Sequence, residues 1–273
     1  MEATALERAV AAAKSVAGSL GLHADDAIVL NNSNKLALRL LPSDAMARVA
    51  PIAEQVSQFE IDLAQNLAAS GSPVAALDPR VPPVVHQRDG FTVTLWTYYE
   101  GRGTVAPADY AEALERLHIG MRDVRIAAPH FIDRVNEARQ ILSDRECSPA
   151  LPEPDRELLA DTLRNLGREV AERGKDQLLH GEPHPGNLLA TNHGPLFIDF
   201  ETCCRGPIEF DLAHAPEPVA DHYPGVDHDL LRQSRILMLA MIIAWRWDPG
   251  DQFPNGRRLA EEWTAQMKKL LNE

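Results

Sequence analysis

The sequence lacks an apolar run long enough to cross a bilayer. Its longest run, residues 236–245, is about half of the roughly 20 residues that a spanning helix needs. The N-terminus has an alanine-rich amphipathic pattern instead of the apolar core of a secretory signal. The three cysteines, Cys147, Cys203 and Cys204, are odd in number, and neighbouring cysteines rarely form a disulfide. These absences predict a protein of the reducing cytoplasm with no membrane partner and with Cys203 and Cys204 as packing residues.

Basic residues are also scarce, with 27 Lys and Arg against 40 Asp and Glu, which gives a net charge of −13. Binding to nucleic acid needs a basic face, so this class of partner is excluded. The same balance is compatible with a cationic substrate that a negative field attracts. The 273 residues contain no repeat or low-complexity tract, and they can bury one large core or two modest lobes.

Hydrophobic periodicity predicts strands in the first third of the chain and helices in the remainder. Short apolar runs predict strands at residues 28–30, 36–40, 45–50 and 91–96. Apolar spacings of three and four predict helices at residues 4–21, 52–70, 108–122, 130–143, 154–173, 228–246 and 257–271. The turn over residues 31–34, between the first two strands, contains no glycine. This order of elements is typical of an α+β chain with two lobes.

Residues 180–201 carry the most informative pattern. They read His-Gly-Glu-Pro-His-Pro-Gly-Asn and, after an apolar run, Phe-Ile-Asp-Phe-Glu. The spacing suits a magnesium–nucleotide site in which Glu182 orients a substrate hydroxyl, while Asn187 and Asp199 hold the metal. One amide and one carboxylate, with waters and phosphates as the other ligands, suit Mg²⁺ better than Zn²⁺.

A β-hairpin is predicted within this stretch, because a turn signal separates two apolar runs. Centred on His193, the hairpin would pair Leu189 with Phe197 and Asn187 with Asp199. The two candidate metal ligands would then face each other at its open end.

These motifs resemble those of the aminoglycoside phosphotransferase and choline kinase-like family of small-molecule kinases. That family carries His-Gly-Asp-x-His-x-x-Asn, an apolar strand and Ile-Asp-x-Asp/Glu, which this sequence matches at residues 180–187 and 198–201. The resemblance implies a protein-kinase-like fold of two lobes. A small β-rich N-terminal lobe would span residues 1–97, and a larger helical C-terminal lobe would span residues 98–273.

The resemblance also assigns roles around the catalytic loop. It implies Glu182 as the catalytic base and Asn187 and Asp199 as magnesium ligands. Glu201 would reach a second Mg²⁺ or the substrate. Asp211 lies in a segment that is similar to the family's next motif, where an acid supports the catalytic loop.

Further residues are implied for nucleotide binding. Arg48 stands where the family has its phosphate-binding lysine, and Glu60 is the helix acid that would pair with it. Thr97, Tyr98 and Tyr99 follow a β-run where such kinases bind adenine through the backbone, so they are the candidate nucleotide edge.

Two substitutions depart from the family pattern. Glu182 stands where the family usually has Asp, and its extra methylene moves the carboxylate by about an ångström, a misplacement that can cost on the order of a hundredfold in rate. Arg48 replaces the family's Lys; a guanidinium can bridge phosphate oxygens, but it is not interchangeable with an ammonium.

The expected function is transfer of the γ-phosphoryl of ATP or GTP, with Mg²⁺, to a hydroxyl of a small polar acceptor. A cationic aminoglycoside or amino sugar is the first choice of acceptor, with antibiotic resistance as the implied role. Choline-like, amino-acid and plain sugar acceptors remain open. One alternative, permitted by the two departures, is a nucleotide-binding module with little catalysis. Another is a metal-dependent hydrolase built on His180, His184 and Asp199. Pro183 and Pro185 argue against it, because a His-x-x-x-His zinc pair needs a helix.

Overall fold

The protein was analysed as a computed structural model, which describes residues 1, 3–33, 35–53, 56–101 and 103–272. The chain forms two compact units. Unit 1 consists of Met1–Asp109 and Asn187–Glu201, and unit 2 consists of Tyr110–Gly186 and Thr202–Glu273.

Unit 1 contains a five-stranded antiparallel sheet. Its strands are β1 (Ala24–Asn32), β2 (Leu36–Pro42), β3 (Ala45–Pro51), β4 (His86–Arg88) and β5 (Phe91–Thr97). They lie in the order β1-β2-β3-β5-β4. The predicted strands of this region are present, whereas Asn34 of the predicted turn lies outside the described residues.

Helix α1 (Ala3–Ser19) covers one face of this sheet. Side chains alternate along a strand, so Leu36, Leu38 and Leu40 of β2 are buried in the cluster that α1 completes. The alternate residues of β3, which include Arg48, face away from α1. The predicted helix 52–70 is present as α2 (Val56–Ala69). Residues 54 and 55 of the predicted range lie outside the described part. This arrangement keeps the apolar core on one face and leaves the other for charged side chains.

A short hairpin, β7 (Leu188–Thr191) and β8 (Gly194–Phe197), also belongs to unit 1. The Phe197 N–H donates to the Pro73 carbonyl at 2.8 Å, and the Ala75 N–H donates to the Phe197 carbonyl at 3.0 Å. These bonds explain why unit 1 includes residues 187–201. The expected division at residue 97 therefore differs from the two units seen here, since unit 1 also continues to Asp109.

The predicted register of this hairpin was wrong by one residue. Leu188 pairs with Phe197, and the Ile198 N–H donates to the Asn187 carbonyl at 3.0 Å. Asn187 therefore lies opposite Ile198 and not opposite Asp199. The physical reason is the turn, which has two residues between Thr191 and Gly194 and is not centred on His193.

The rest of the chain is mainly helical. It contains α3 (Pro107–Asp123), α4 (Phe131–Ser143), α5 (Glu153–Arg173), α6 (Ile208–His214), α7 (His228–Arg246) and α8 (Gly256–Leu270), with the two short strands β6 (Gln177–Leu179) and β9 (Cys204–Gly206). Residues of α4, α5, α7 and α8 form one buried apolar core in unit 2. Among the described helices, none has the length and apolar character that crossing a membrane requires.

Candidate functional site

Arg48 and Glu60 form a buried ion pair on the face of the sheet that α1 does not cover. The Arg48 Nη1 atom donates to Glu60 Oε1 at 2.7 Å, and Nη2 donates to Asp199 Oδ1 at 2.7 Å. Burial disfavours the charged guanidinium, but Glu60 and Asp199 outweigh this effect and raise the pKa of Arg48. The expected contact between Arg48 and Glu60 is present, and one cation joins the helix acid to a candidate metal ligand.

A second cation, which the sequence analysis did not identify, enters the same network. The Lys35 Nζ atom lies 2.6 Å from Glu60 Oε2 and 2.8 Å from Glu201 Oε2. Lys35 precedes β2 and is 7 % exposed, although lysine is among the residues that are rarely buried. The structure thus brings four candidate residues, Arg48, Glu60, Asp199 and Glu201, into one cluster. Lys35 is the fifth member of this cluster.

Asp199 adopts an unusual backbone conformation, with φ at +66°. This left-handed region is uncommon for residues other than glycine, and Asp and Asn adopt it more readily than most. Strained conformations of this kind cluster at functional sites, where the surrounding structure holds them in place. The Arg48 hydrogen bond is one such restraint.

The chemistry of the donor set fits a magnesium ion. Asn187 offers an amide, while Asp199 and Glu201 offer carboxylates, and Mg²⁺ prefers such oxygen ligands. In addition, both carboxylates already accept a positively charged group, since Arg48 binds Asp199 and Lys35 binds Glu201. Each of the two carboxylates therefore already binds a positive charge, as a metal ligand must.

The candidate nucleotide edge follows β5. The Thr97 N–H donates to the Ala76 carbonyl at 2.9 Å, and the Ala76 N–H donates to the Tyr99 hydroxyl at 3.4 Å. The Tyr98 ring packs against Arg39, whose guanidinium carbon lies 4.1 Å from the ring centroid. The N–H of Thr97 is thus already paired within unit 1, which leaves the backbone of Tyr98 and Tyr99 as the better candidates for contact with a base.

In unit 2, Glu182 is bound by Arg134. The Arg134 Nη2 atom donates to Glu182 Oε1, and Nη1 donates to the Gly181 carbonyl at 3.3 Å. The Arg134 guanidinium carbon also lies 5.1 Å from the centroid of the Trp245 ring. Burial favours the neutral acid, but Arg134 outweighs it and lowers the pKa of Glu182. The candidate base is therefore an ionised carboxylate that an arginine holds in place.

A buried acid, Asp211, stabilises the loop that carries Glu182. Asp211 is fully buried and accepts hydrogen bonds from the N–H groups of His180 and Gly181, each at 2.8 Å. Its Oδ2 atom also lies 3.0 Å from His118 Nε2, and His118 Nδ1 lies 2.8 Å from the Tyr223 hydroxyl. Burial raises the pKa of Asp211, but the contact with His118 and the loop N–H groups lower it further than burial raises it. Asp211 therefore supports the loop, and His118 is a buried histidine between Asp211 and Tyr223.

Gly181 is required by the same loop. Its φ is +90°, and a Cβ atom at this position would overlap the Thr202 carbonyl oxygen. A larger residue would have to displace backbone, so the motif needs glycine immediately before Glu182.

The structure does not support the hydrolase alternative. Residues 180–184 are not helical, so His180 and His184 do not share a helix face. Within the described residues, no group of three or more His, Cys, Asp or Glu side chains is arranged to hold a metal ion. Cys203 and Cys204 are buried free thiols, and burial raises the pKa of each, which fits packing residues.

Sequence reasoning missed Lys35 and Arg134. Neither lies near a motif, since Lys35 is 25 residues from Glu60 and Arg134 is 48 residues from Glu182. The one available signal was that Lys35 directly precedes a strand with buried alternate residues, which points its side chain toward the face that carries Arg48.

Three solved structures share the fold. The GDP complex of wild-type aminoglycoside 2'-phosphotransferase-IIIa is 15% identical, with a TM-score of 0.70 over 92% of this chain and 96% of that chain. Amicoumacin kinase hAmiN, in complex with AMP-PNP, Ca2+ and Ami, is 11% identical, with a TM-score of 0.69 over 89% of this chain and 88% of that one. A choline/ethanolamine kinase family protein from Mesorhizobium loti is 18% identical, with a TM-score of 0.65 over 91% and 88%.

At these identities the likeness establishes the fold, and the expected α+β, protein-kinase-like class is confirmed. No curated protein matches the chain. The model of the phosphotransferase enzyme family, however, matches residues 29–253, which is well over half of the sequence. The match includes every candidate residue of the network in unit 1 and of the Glu182 loop in unit 2. The chain therefore belongs to the phosphotransferase enzyme family.

Proposed function

We propose that this protein is a small-molecule kinase that transfers the γ-phosphoryl of ATP or GTP, with Mg²⁺, to a hydroxyl of a small polar acceptor. The observation that carries the proposal is the pair of bonds from one guanidinium, Arg48, to Glu60 and to Asp199. A buried helix acid thereby fixes a strand cation against a carboxylate suited to a metal. Phosphoryl transfer depends mainly on such positioning and on charge neutralisation.

On the nucleotide side, Asn187, Asp199 and Glu201 would hold the metal. When bound, Mg²⁺ neutralises charge on the phosphates. Arg48 would bind phosphate oxygens from β3, and the backbone of Tyr98 and Tyr99 would bind the base.

On the acceptor side, Glu182 would orient the hydroxyl. Its low pKa keeps it ionised near neutral pH, so it accepts a hydrogen bond from the hydroxyl. A strongly basic group is not required, because the transition state of phosphoryl transfer is loose and proton removal is not its main demand. Arg134 fixes the carboxylate through one oxygen and thereby limits the freedom that the longer side chain of glutamate adds.

The acceptor is a cationic aminoglycoside or amino sugar in this proposal. The net charge of −13 supports it, because a negative field attracts a cationic substrate. Two solved structures of this fold are also named for their substrates, an aminoglycoside and amicoumacin. A role in antibiotic resistance would follow from such an acceptor.

A second candidate function is nucleotide binding with little catalysis. It is favoured by the ion pairs themselves, because Arg48 and Lys35 bind two candidate metal ligands and Arg134 binds the candidate base. A protein in which these pairs persist would bind nucleotide without turning it over.

The test is acceptor-dependent ADP release, measured with ATP and GTP, with and without Mg²⁺, across aminoglycosides, amino sugars and small alcohols. Nucleotide affinity is measured in parallel by calorimetry. We expect one acceptor class to raise ADP release, and the Glu182→Ala variant to lose this rise while its nucleotide affinity is retained. Nucleotide binding without turnover for any acceptor would favour the second candidate, and absence of nucleotide binding would exclude both.

A further inference from the structure

Glu60 holds two cations, although the family pattern provides for one. Its Oε1 atom accepts from Arg48 at 2.7 Å, and its Oε2 atom accepts from Lys35 at 2.6 Å. The two side chains come from different places in the chain, Lys35 from the residue directly before β2 and Arg48 from β3. The helix acid therefore anchors a pair of positive charges.

The two cations differ in how many of their donors the cluster uses. Arg48 directs both terminal nitrogens at carboxylates, Nη1 to Glu60 and Nη2 to Asp199. Its planar guanidinium therefore bridges the two carboxylates. The Lys35 ammonium has three donors, and within the described part of the chain Glu60 and Glu201 account for two of them.

The burial of Lys35 makes a purely structural role costly. Its side chain is 7 % exposed, and moving an ammonium out of water is unfavourable before any pairing. An apolar residue at this position would avoid this cost. A compact ammonium near a candidate metal ligand is, in contrast, well suited to bind an oxygen of a phosphate group.

We infer that Lys35 is a second phosphate-binding residue, which contacts the nucleotide phosphates with its ammonium while Glu60 and Glu201 hold it in position. This inference rests on the proposed function. It assigns to the lysine directly before β2 the compact charge that the family places on β3, where this chain has Arg48. The replacement of lysine by arginine on β3 is thereby compensated by the residue that precedes the neighbouring strand.

The test compares ligands that differ only in phosphate. Binding of MgATP, MgADP and adenosine is measured by calorimetry for the wild type, for Lys35→Met and for the matched charge control Lys269→Met, which alters an exposed lysine of α8. Lys35→Met should weaken MgATP by about tenfold to a hundredfold, the scale of a charge-assisted hydrogen bond, and leave adenosine within about twofold. Lys269→Met should change neither.

An equal loss of affinity for MgATP and adenosine in Lys35→Met would show that Lys35 is structural and would overturn the inference. Unchanged MgATP binding would overturn it as well. Failure of the proposed function looks different, because the wild type itself would then bind neither MgATP nor MgGTP. If it binds only MgGTP, the same comparison is made with MgGTP, MgGDP and guanosine.

A second measurement needs no variant, in case Lys35→Met does not fold. The wild type is treated with 5'-fluorosulfonylbenzoyl adenosine, whose sulfonyl fluoride extends from the nucleoside toward the phosphate positions. The lysine first loses a proton to the solvent; its neutral amine then forms a bond to sulfur, displaces fluoride and releases a second proton to the solvent. Peptide mass spectrometry should find the label on Lys35, with protection by MgATP. Labelling that excludes Lys35, or that MgATP does not suppress, would contradict the inference.

Discussion

The Arg134 guanidinium donates to the carboxylate of Glu182, and it is the main group that keeps this half-buried acid ionised. Burial alone acts in the opposite direction and favours the protonated acid. The pKa of Glu182 in the folded protein therefore depends on a residue from α4, which lies far from the catalytic motif in the sequence.

Replacing Arg134 should change the pH dependence of turnover. Without the arginine, burial dominates and the pKa of Glu182 rises. In the proposed mechanism the ionised carboxylate orients the hydroxyl, so activity should be lost as the pH falls through this pKa. In Arg134→Gln the loss should begin at a higher pH than in the wild type. The measurement is kcat/KM against pH. Arg164→Gln, at an exposed residue of α5, is the control and should keep the wild-type profile. An acid limb that does not move in Arg134→Gln would contradict the assignment of Glu182.

Asp199→Asn should uncouple nucleotide binding from magnesium. Asparagine also tolerates the left-handed conformation at this position, so the backbone is preserved while the charge is lost. We expect the affinity for MgATP to fall at least about tenfold, since even outer-shell partners of metals contribute on that scale. Calorimetry with ATP, with and without Mg²⁺, measures the effect, and Asp62→Asn on the exposed side of α2 serves as the control. If Asp199→Asn retained the full magnesium dependence, Asp199 would not be a ligand.

Asp211→Ala should destabilise the protein. The change leaves the N–H groups of His180 and Gly181 and the His118 ring without their buried acceptor. We expect the free energy of unfolding to fall by about 3–5 kcal/mol, the range for breaking one side of a buried pair. Urea unfolding followed by circular dichroism gives the value. Asp161→Ala, at an exposed acid of α5, should stay within about 0.5 kcal/mol of the wild type. Equal stability of the two variants would show that Asp211 does not support the loop.

Gly181→Ala should lower the stability of the folded protein by more than the positive φ at this position alone explains. A left-handed backbone costs an alanine about 1–2 kcal/mol. Gly225 lies in the same unit, has φ at +72°, and has no atom within 4 Å of the position that a Cβ would take. Gly225→Ala therefore measures the backbone cost alone. At Gly181 the Cβ also collides with the Thr202 carbonyl. Chemical unfolding should therefore show a larger loss for Gly181→Ala than for Gly225→Ala, and turnover should fall only in the former. Similar losses in stability would show that the loop can move to accommodate the methyl group.

Local sequence patterns were sufficient for the longer elements of the fold, because strands and helices differ in hydrophobic period. They did not predict the short elements β4, β6, β9 and α6. The register of the hairpin was not accessible in this way. Placing its centre at His193 or between Asn192 and His193 satisfies the same apolar pattern to within one residue, and the two-residue turn decides the outcome. A shift of one residue was enough to move Asp199 away from its expected position opposite Asn187.

The partners of the candidate site residues were also beyond the reach of local patterns. Glu60 was paired with Arg48 on the basis of family resemblance, whereas Lys35 and Arg134 had no motif to mark them. Both are cations whose partners are distant in sequence. Their roles depend on which side chains the tertiary fold brings within hydrogen-bond distance.

The membership of residues 187–201 in unit 1 has a consequence for dissecting the protein. A fragment that stopped at Asp109 would keep Lys35, Arg48 and Glu60 but would lose Asp199 and Glu201. Lys35 and Arg48 would then share a single acid, and Pro73 and Ala75 would lose their backbone hydrogen bonds to Phe197. No uninterrupted piece of the polypeptide reproduces this unit, so attempts to study nucleotide binding in isolation must splice the hairpin back onto the N-terminal segment.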